Sequence, residues 1–74
     1  MISELDVVVL TRPVAEFGLE SGDVGAVVLV YPDGRFETEF VAADGTTVAV
    51  VSLGPDDVRP AREREVLHAR ALAG

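Results

Sequence analysis

The stretch Arg35-Phe36-Glu37-Thr38-Glu39-Phe40-Val41 alternates strictly between two kinds of side chain. Phe36, Thr38 and Phe40 fall on one side of an extended chain and Arg35, Glu37 and Glu39 on the other, the period of a strand with one face in a core and one in water. Residues 35–41 are therefore predicted to form a strand, and three further β-branched runs accompany it. Residues 5–11 are too short for a buried helix, and Arg12-Pro13 ends the run because proline offers no ladder donor. Residues 23–31 form another strand. Residues 46–53 form a fourth, whose weaker alternation predicts partial burial of both faces. A short last strand follows at Val58-Arg59, closed by Pro60.

Turn chemistry fills the breaks. In Pro32-Asp33-Gly34 the proline presets one dihedral and the glycine accepts positive φ, and Asp44-Gly45 makes a second hairpin turn. Gly54-Pro55-Asp56-Asp57 reads as a single helical turn, and residues 12–22 as a longer loop with an apolar knot at Phe17 and Leu19. Gly25 lies inside a valine-rich strand, where glycine is costly unless the strand kinks or bulges, so a bend is expected there. Together these features predict an all-β fold: over residues 1–60, a small antiparallel barrel of about five strands. The tail, residues 61–74, is rich in Ala, Arg, Glu and Leu and is predicted to be a C-terminal helix. Its large apolar residues, Val66, Leu67 and Leu72, make a narrow stripe at most, leaving open whether it docks on the barrel, pairs with a partner or frays.

Composition sharpens this picture. At 74 residues a single apolar core barely offsets chain entropy, and the absence of cysteine removes both disulfides and thiolate metal sites. A partner or a second copy would supply further burial. The start of the chain lacks a basic segment followed by a long apolar core, and no apolar run approaches the roughly 18 residues that span a bilayer. A soluble, cytoplasmic protein with no membrane partner is expected. The net charge is −7, unevenly spread: residues 1–57 carry −9 and residues 58–74 carry +2. A negative surface repels phosphate backbones, which argues against nucleic acid and anionic membranes.

The elements Gly22-Asp23-Val24-Gly25, Val30-Tyr31-Pro32-Asp33-Gly34, Glu39-Phe40-Val41, Asp44-Gly45 and Asp57-Val58-Arg59-Pro60 resemble those of a small, largely bacterial family of domains of unknown function. The resemblance covers about residues 1–60. It implies an SH3-like barrel and a setting among toxin and immunity-like genes, and it implies no activity. Residues 18–28 also resemble the KOW motif of ribosomal and transcription-factor barrels, where a loop, a glycine and a hydrophobic strand recur. Glu20 and Asp23 stand where that loop carries basic residues, which argues against RNA binding.

Candidate chemistry is sparse. His68 is the lone imidazole, so no typical transition-metal site can form around it, and it reads as an exposed helix residue. Ser3, Ser21 and Ser52 would all have to share that histidine as a base. Glu37 and Glu39 share a face, but a glycosidase holds its carboxyl pair across a cleft that a small barrel without tryptophan does not offer. They read as a solvated strand face or as an acidic docking face. Asp56 and Asp57 lack the oxygen-rich loop that calcium needs, and one of them is expected to cap the helical turn. Phe17, Leu19 and Tyr31 either plug an open barrel end or touch a partner. No catalytic, cofactor-binding or metal-binding residue is expected, and no cofactor.

The function that follows is a non-enzymatic protein-interaction module. Asp33, Glu37, Glu39 and Asp44 would form an acidic face, with Phe17, Leu19 and Tyr31 as apolar contacts, docking on a basic partner as an immunity protein docks on a toxin. The alternatives are an accessory subunit of a larger enzyme, and a nucleic-acid binder using Arg59, Arg62, Arg64 and Arg70 of the tail. Self-association through an open strand edge or a swapped tail is compatible with each.

Overall fold

β-Branched side chains are stiff in a way that suits a pleated surface, and each predicted run is a strand in the computed structural model, which describes residues 2–72. The strands are β1 (Val7–Leu10), β2 (Val24–Val30), β3 (Phe36–Val41), β4 (Thr47–Leu53) and β5 (Val58–Pro60). They form one antiparallel sheet in the order β4-β3-β2-β1-β5, with β4 and β5 at its two ends.

The hairpin turns form as their residues require. Gly34 and Gly45 hold φ of 92° and 89°, and their N–H groups donate to Tyr31 O (3.0 Å) and Ala42 O (2.9 Å). In the loop before β2, a 3-10 turn at Ala15–Phe17 lets Val14 and Leu19 form an isolated bridge, which turns Leu19 into the core. Gly54 and Asp57 close a single turn, Asp57 N–H donating to Gly54 O at 3.0 Å. Asp57 is the carboxylate acceptor there, but it reaches back to the Gly54 N–H (2.8 Å) instead of forward.

The inner face carries Val8, Leu10, Val27, Phe36, Phe40, Ala49, Val51, Leu53 and Val58, with Leu19 supplied by the loop. Phe36, Thr38 and Phe40 are all buried, as the alternation predicts. No bulge falls at Gly25, which pairs in register with Val8; the ladder irregularity between β2 and β3 lies between Val27 and Leu29. The reason for glycine is close approach instead. A Cβ at position 25 would lie 2.7 Å from Thr38 Cγ2 and 2.8 Å from Phe40 Cε2, so the neighbouring strand occupies the space of a side chain.

The predicted C-terminal helix does not form. Within residues 61–72 only a turn at Glu63 and Arg64 is present, and the remainder is irregular; residues 73–74 lie outside the described residues. As a helix, Val66, Leu67 and Leu72 would share no continuous face, so coiling would bury little. An unwound segment reaches about twice as far per residue as a helix, and its polar groups find partners on the sheet. Glu65 accepts from Arg59 Nη1 (2.7 Å) and Nη2 (2.6 Å), and His68 and Arg70 reach Asp23.

Candidate functional site

Two surfaces bring chemistry-bearing side chains together. The first is the outer face of β2, β3 and β4. Glu37 stands opposite Leu29 on β2 and Ser52 on β4, and Glu39 opposite Ala26 and Val50. Leu29 and Val50 are 43% and 48% exposed, so two carboxylates rise from a partly apolar surface. The Tyr31 hydroxyl donates to Glu37 Oε2 at 3.0 Å, and Thr47 Oγ1 donates to Glu39 Oε2 at 2.7 Å. The bond to Glu37 pushes the Tyr31 phenol above its ordinary range. Among the described residues, neither glutamate has an ion-pair partner.

The structure unites Tyr31, Glu37 and Glu39 but spreads the other expected contacts. Asp33 and Asp44 sit in the turns at opposite ends of β3, and six strand residues separate those turns by about 17 Å or more. Each is occupied locally: Asp33 Oδ1 accepts from Arg35 N (3.0 Å), and Asp44 Oδ1 accepts from Thr46 N (2.9 Å) and Thr46 Oγ1 (2.7 Å). The bond from the Thr46 hydroxyl holds Asp44 below the usual carboxylate range. Phe17 is exposed on its 3-10 turn, whereas Leu19 is 3% exposed and belongs to the core.

The second surface centres on Asp23, at the mouth of β2. Its Oδ1 accepts from Arg70 Nε (2.8 Å) and lies 2.9 Å from His68 Nε2, while its Oδ2 accepts from Arg70 Nη2 (2.6 Å) and from the Glu20 N–H (2.8 Å). Arg70 Nη2 also donates to Gly18 O at 2.9 Å. The Arg70 guanidinium holds the Asp23 carboxyl far below the usual range, against the opposing effect of burial. Beside this cluster lies an open groove of about 380 Å³, floored by Leu19, Val24, Phe40 and Val48 and walled by the tail. The sequence reading placed Asp23 in the Gly22–Gly25 element and where a related loop carries a basic residue, and gave it no binding role. The signal that points to it is the change of charge sign between the acidic strands and the tail.

Of the four arginines expected to meet nucleic acid, Arg59 of β5 is paired with Glu65 and Arg70 of the tail with Asp23. Among the described residues no group of three or more His, Cys, Asp or Glu side chains could hold a metal ion, and no helix is long and apolar enough to cross a membrane.

No curated protein and no solved structure matches the chain. Residues 4–60, from the segment before β1 through the end of β5, match a family described as a domain of unknown function, DUF4926, and the tail lies beyond the match. The chain belongs to the DUF4926 family.

Proposed function

We propose that the domain is a non-enzymatic interaction module of SH3-like barrel form, which docks a basic partner protein on the outer face of β3 in the manner of an immunity protein. One observation carries this reading: Glu37 and Glu39 rise side by side next to exposed Leu29 and Val50, and neither has an ion-pair partner among the described residues. An apolar centre with charged acceptors is a surface that gains from being covered by complementary charge. The net charge of −7 adds long-range attraction for a basic protein and raises the association rate. Nucleic acid fits less well, because Arg59 and Arg70 are committed to carboxylates within the chain.

The test is co-purification from the native host, with the wild-type chain compared with the double variant Glu37→Arg/Glu39→Arg and with Glu63→Arg as a control on the tail. A basic protein should be retained by the wild type and the control, released by salt, and lost with the double variant. Retention by the double variant would remove the outer face from consideration. If the captured protein is an enzyme that needs the domain for turnover, the accessory-subunit reading replaces the inhibitory one.

A further inference from the structure

Asp23 is a buried acid whose partners come from the tail, and the geometry of that contact resembles recognition more than packing. Both carboxylate oxygens meet Arg70, Nε on Oδ1 and Nη2 on Oδ2, and the Gly18 carbonyl takes a further bond from Nη2. A planar fork read by two oxygens and a fixed backbone carbonyl selects arginine over lysine, because an ammonium cannot satisfy all three acceptors in one plane.

The socket and its occupant belong to different parts of the chain. Asp23, Gly18 and the groove floor lie within residues 4–60, the extent of the family match, whereas Arg70 lies ten residues beyond it. Stripped of the tail, Asp23 would keep only the Glu20 N–H and would stand as a poorly compensated buried charge. The domain is thus built to receive a guanidinium from outside its own strands.

The tail fills this place poorly. Leu67 and Leu72 remain 54% and 47% exposed, Val66 is 97% exposed, and the 380 Å³ groove stays open between the tail and the apolar floor of Leu19, Phe40 and Val48. Polar clips, with little apolar burial, hold the segment down. A ligand with the same arginine and a bulkier apolar side chain nearby would gain what the tail leaves unused.

We propose that Asp23 and the adjoining groove form a receptor for an extended peptide carrying an arginine and, two residues further on, an apolar side chain, and that Arg70-Ala71-Leu72 occupies it in cis. The site is separate from the Glu37/Glu39 face and stands whether or not that face binds a partner. Because the tethered tail has a high effective concentration, a free peptide displaces it from the intact chain only at large excess, and binds readily once the tail's grip is weakened.

The probe is a fluorescently labelled peptide with the sequence of residues 61–74, titrated into the intact chain and into Arg70→Ala. The Arg70→Ala chain should bind it at least about tenfold more tightly than the intact chain does. A peptide with alanine in place of the arginine equivalent to Arg70 should bind at least about tenfold more weakly, and one with phenylalanine at the Leu72 position should bind more tightly. A folded Arg70→Ala chain that ignores the peptide, or takes the alanine peptide equally well, overturns the proposal. Should that variant fail to fold, the intact chain is titrated with excess peptide and the His68 ring signals are followed by NMR. Movement toward free-tail positions supports displacement from the socket, and unchanged signals at saturating excess overturn it.

Discussion

Arg70 grips Asp23 across forty-seven residues of chain, with Nε on Oδ1 at 2.8 Å and Nη2 on Oδ2 at 2.6 Å. Removing the guanidinium leaves a buried carboxylate with the Glu20 N–H and His68 as its partners. Arg70→Ala is expected to lower unfolding stability by about 2–3 kcal/mol, and Arg70→Lys to restore only part of it. Urea denaturation measures both. A loss below about 0.5 kcal/mol would mean the clamp contributes no more than an exposed ion pair.

The same contact fixes the response to acid. Asp23 is held far below the usual carboxylate range by Arg70, and Glu65 is held down to about 2 by Arg59. In the unfolded chain such groups titrate near pH 4, so below that point the unfolded state binds more protons than the folded one. Stability from these pairs is complete above about pH 5, falls as the pH drops through about 4, and keeps falling until the folded-state carboxyls protonate, Glu65 near 2 and Asp23 lower still. Urea midpoints measured between about pH 2 and 7 should show this limb. Asp23→Asn should flatten it by close to one proton, and an unchanged slope would place the acid sensitivity elsewhere.

Gly25→Ala should destabilise by about 1–3 kcal/mol although alanine suits an extended chain better than glycine. The added methyl would sit 2.7 Å from Thr38 Cγ2 and 3.0 Å from the Glu39 carbonyl, and the latter is backbone that cannot step aside. A melting temperature equal to that of the wild type would show that the strands separate locally at little cost.

Thr38→Val should raise stability. Thr38 is 0% exposed on the inner face, and its Oγ1 has no hydrogen-bond partner among the described residues. Replacing a buried, unpaired hydroxyl by a methyl of similar shape removes a desolvation cost of about 1 kcal/mol or more. Thermal unfolding of the variant gives the sign directly, and a fall in stability would mean that the hydroxyl is paired in solution.

Absorbance titration of Tyr31, the single tyrosine, reports on the outer face. Its hydroxyl donates to Glu37, which raises its ionisation above the ordinary value. Glu37→Gln should bring the midpoint back toward the usual phenol range, near 10. A midpoint indifferent to that substitution would show that Tyr31 and Glu37 do not stay together in solution.

What could be read from residue order alone was whatever depends on near neighbours. The alternation of Phe36, Thr38 and Phe40 with Glu37 and Glu39 is a property of successive residues, and the faces of β3 follow from it. The turns at Gly34 and Gly45 are equally local. Gly25 was conspicuous, but its cause lies on β3, where Thr38 and Phe40 approach it. The tail misled for the converse reason: its intrinsic preference is helical, and contacts with Asp23, forty-five and forty-seven residues away, override that preference. Asp23 as an anchor, and the groove beside it, required those distant partners to be in place. The acidic face was half legible, since Glu37 and Glu39 share a strand, whereas Asp33 and Asp44 are set apart by the length of β3.

The position of β1 has a consequence for synthesis. β2, β3 and β4 pair with their sequence neighbours, but β1 takes its second partner from β5, with Val8 beside Pro60. On a ribosome adding about 5–20 residues per second, several seconds pass between the making of these two strands. Until β5 is made and docked, one edge of β1 keeps unpaired backbone N–H and C=O groups, so that is when this small domain is most open to pairing with another strand.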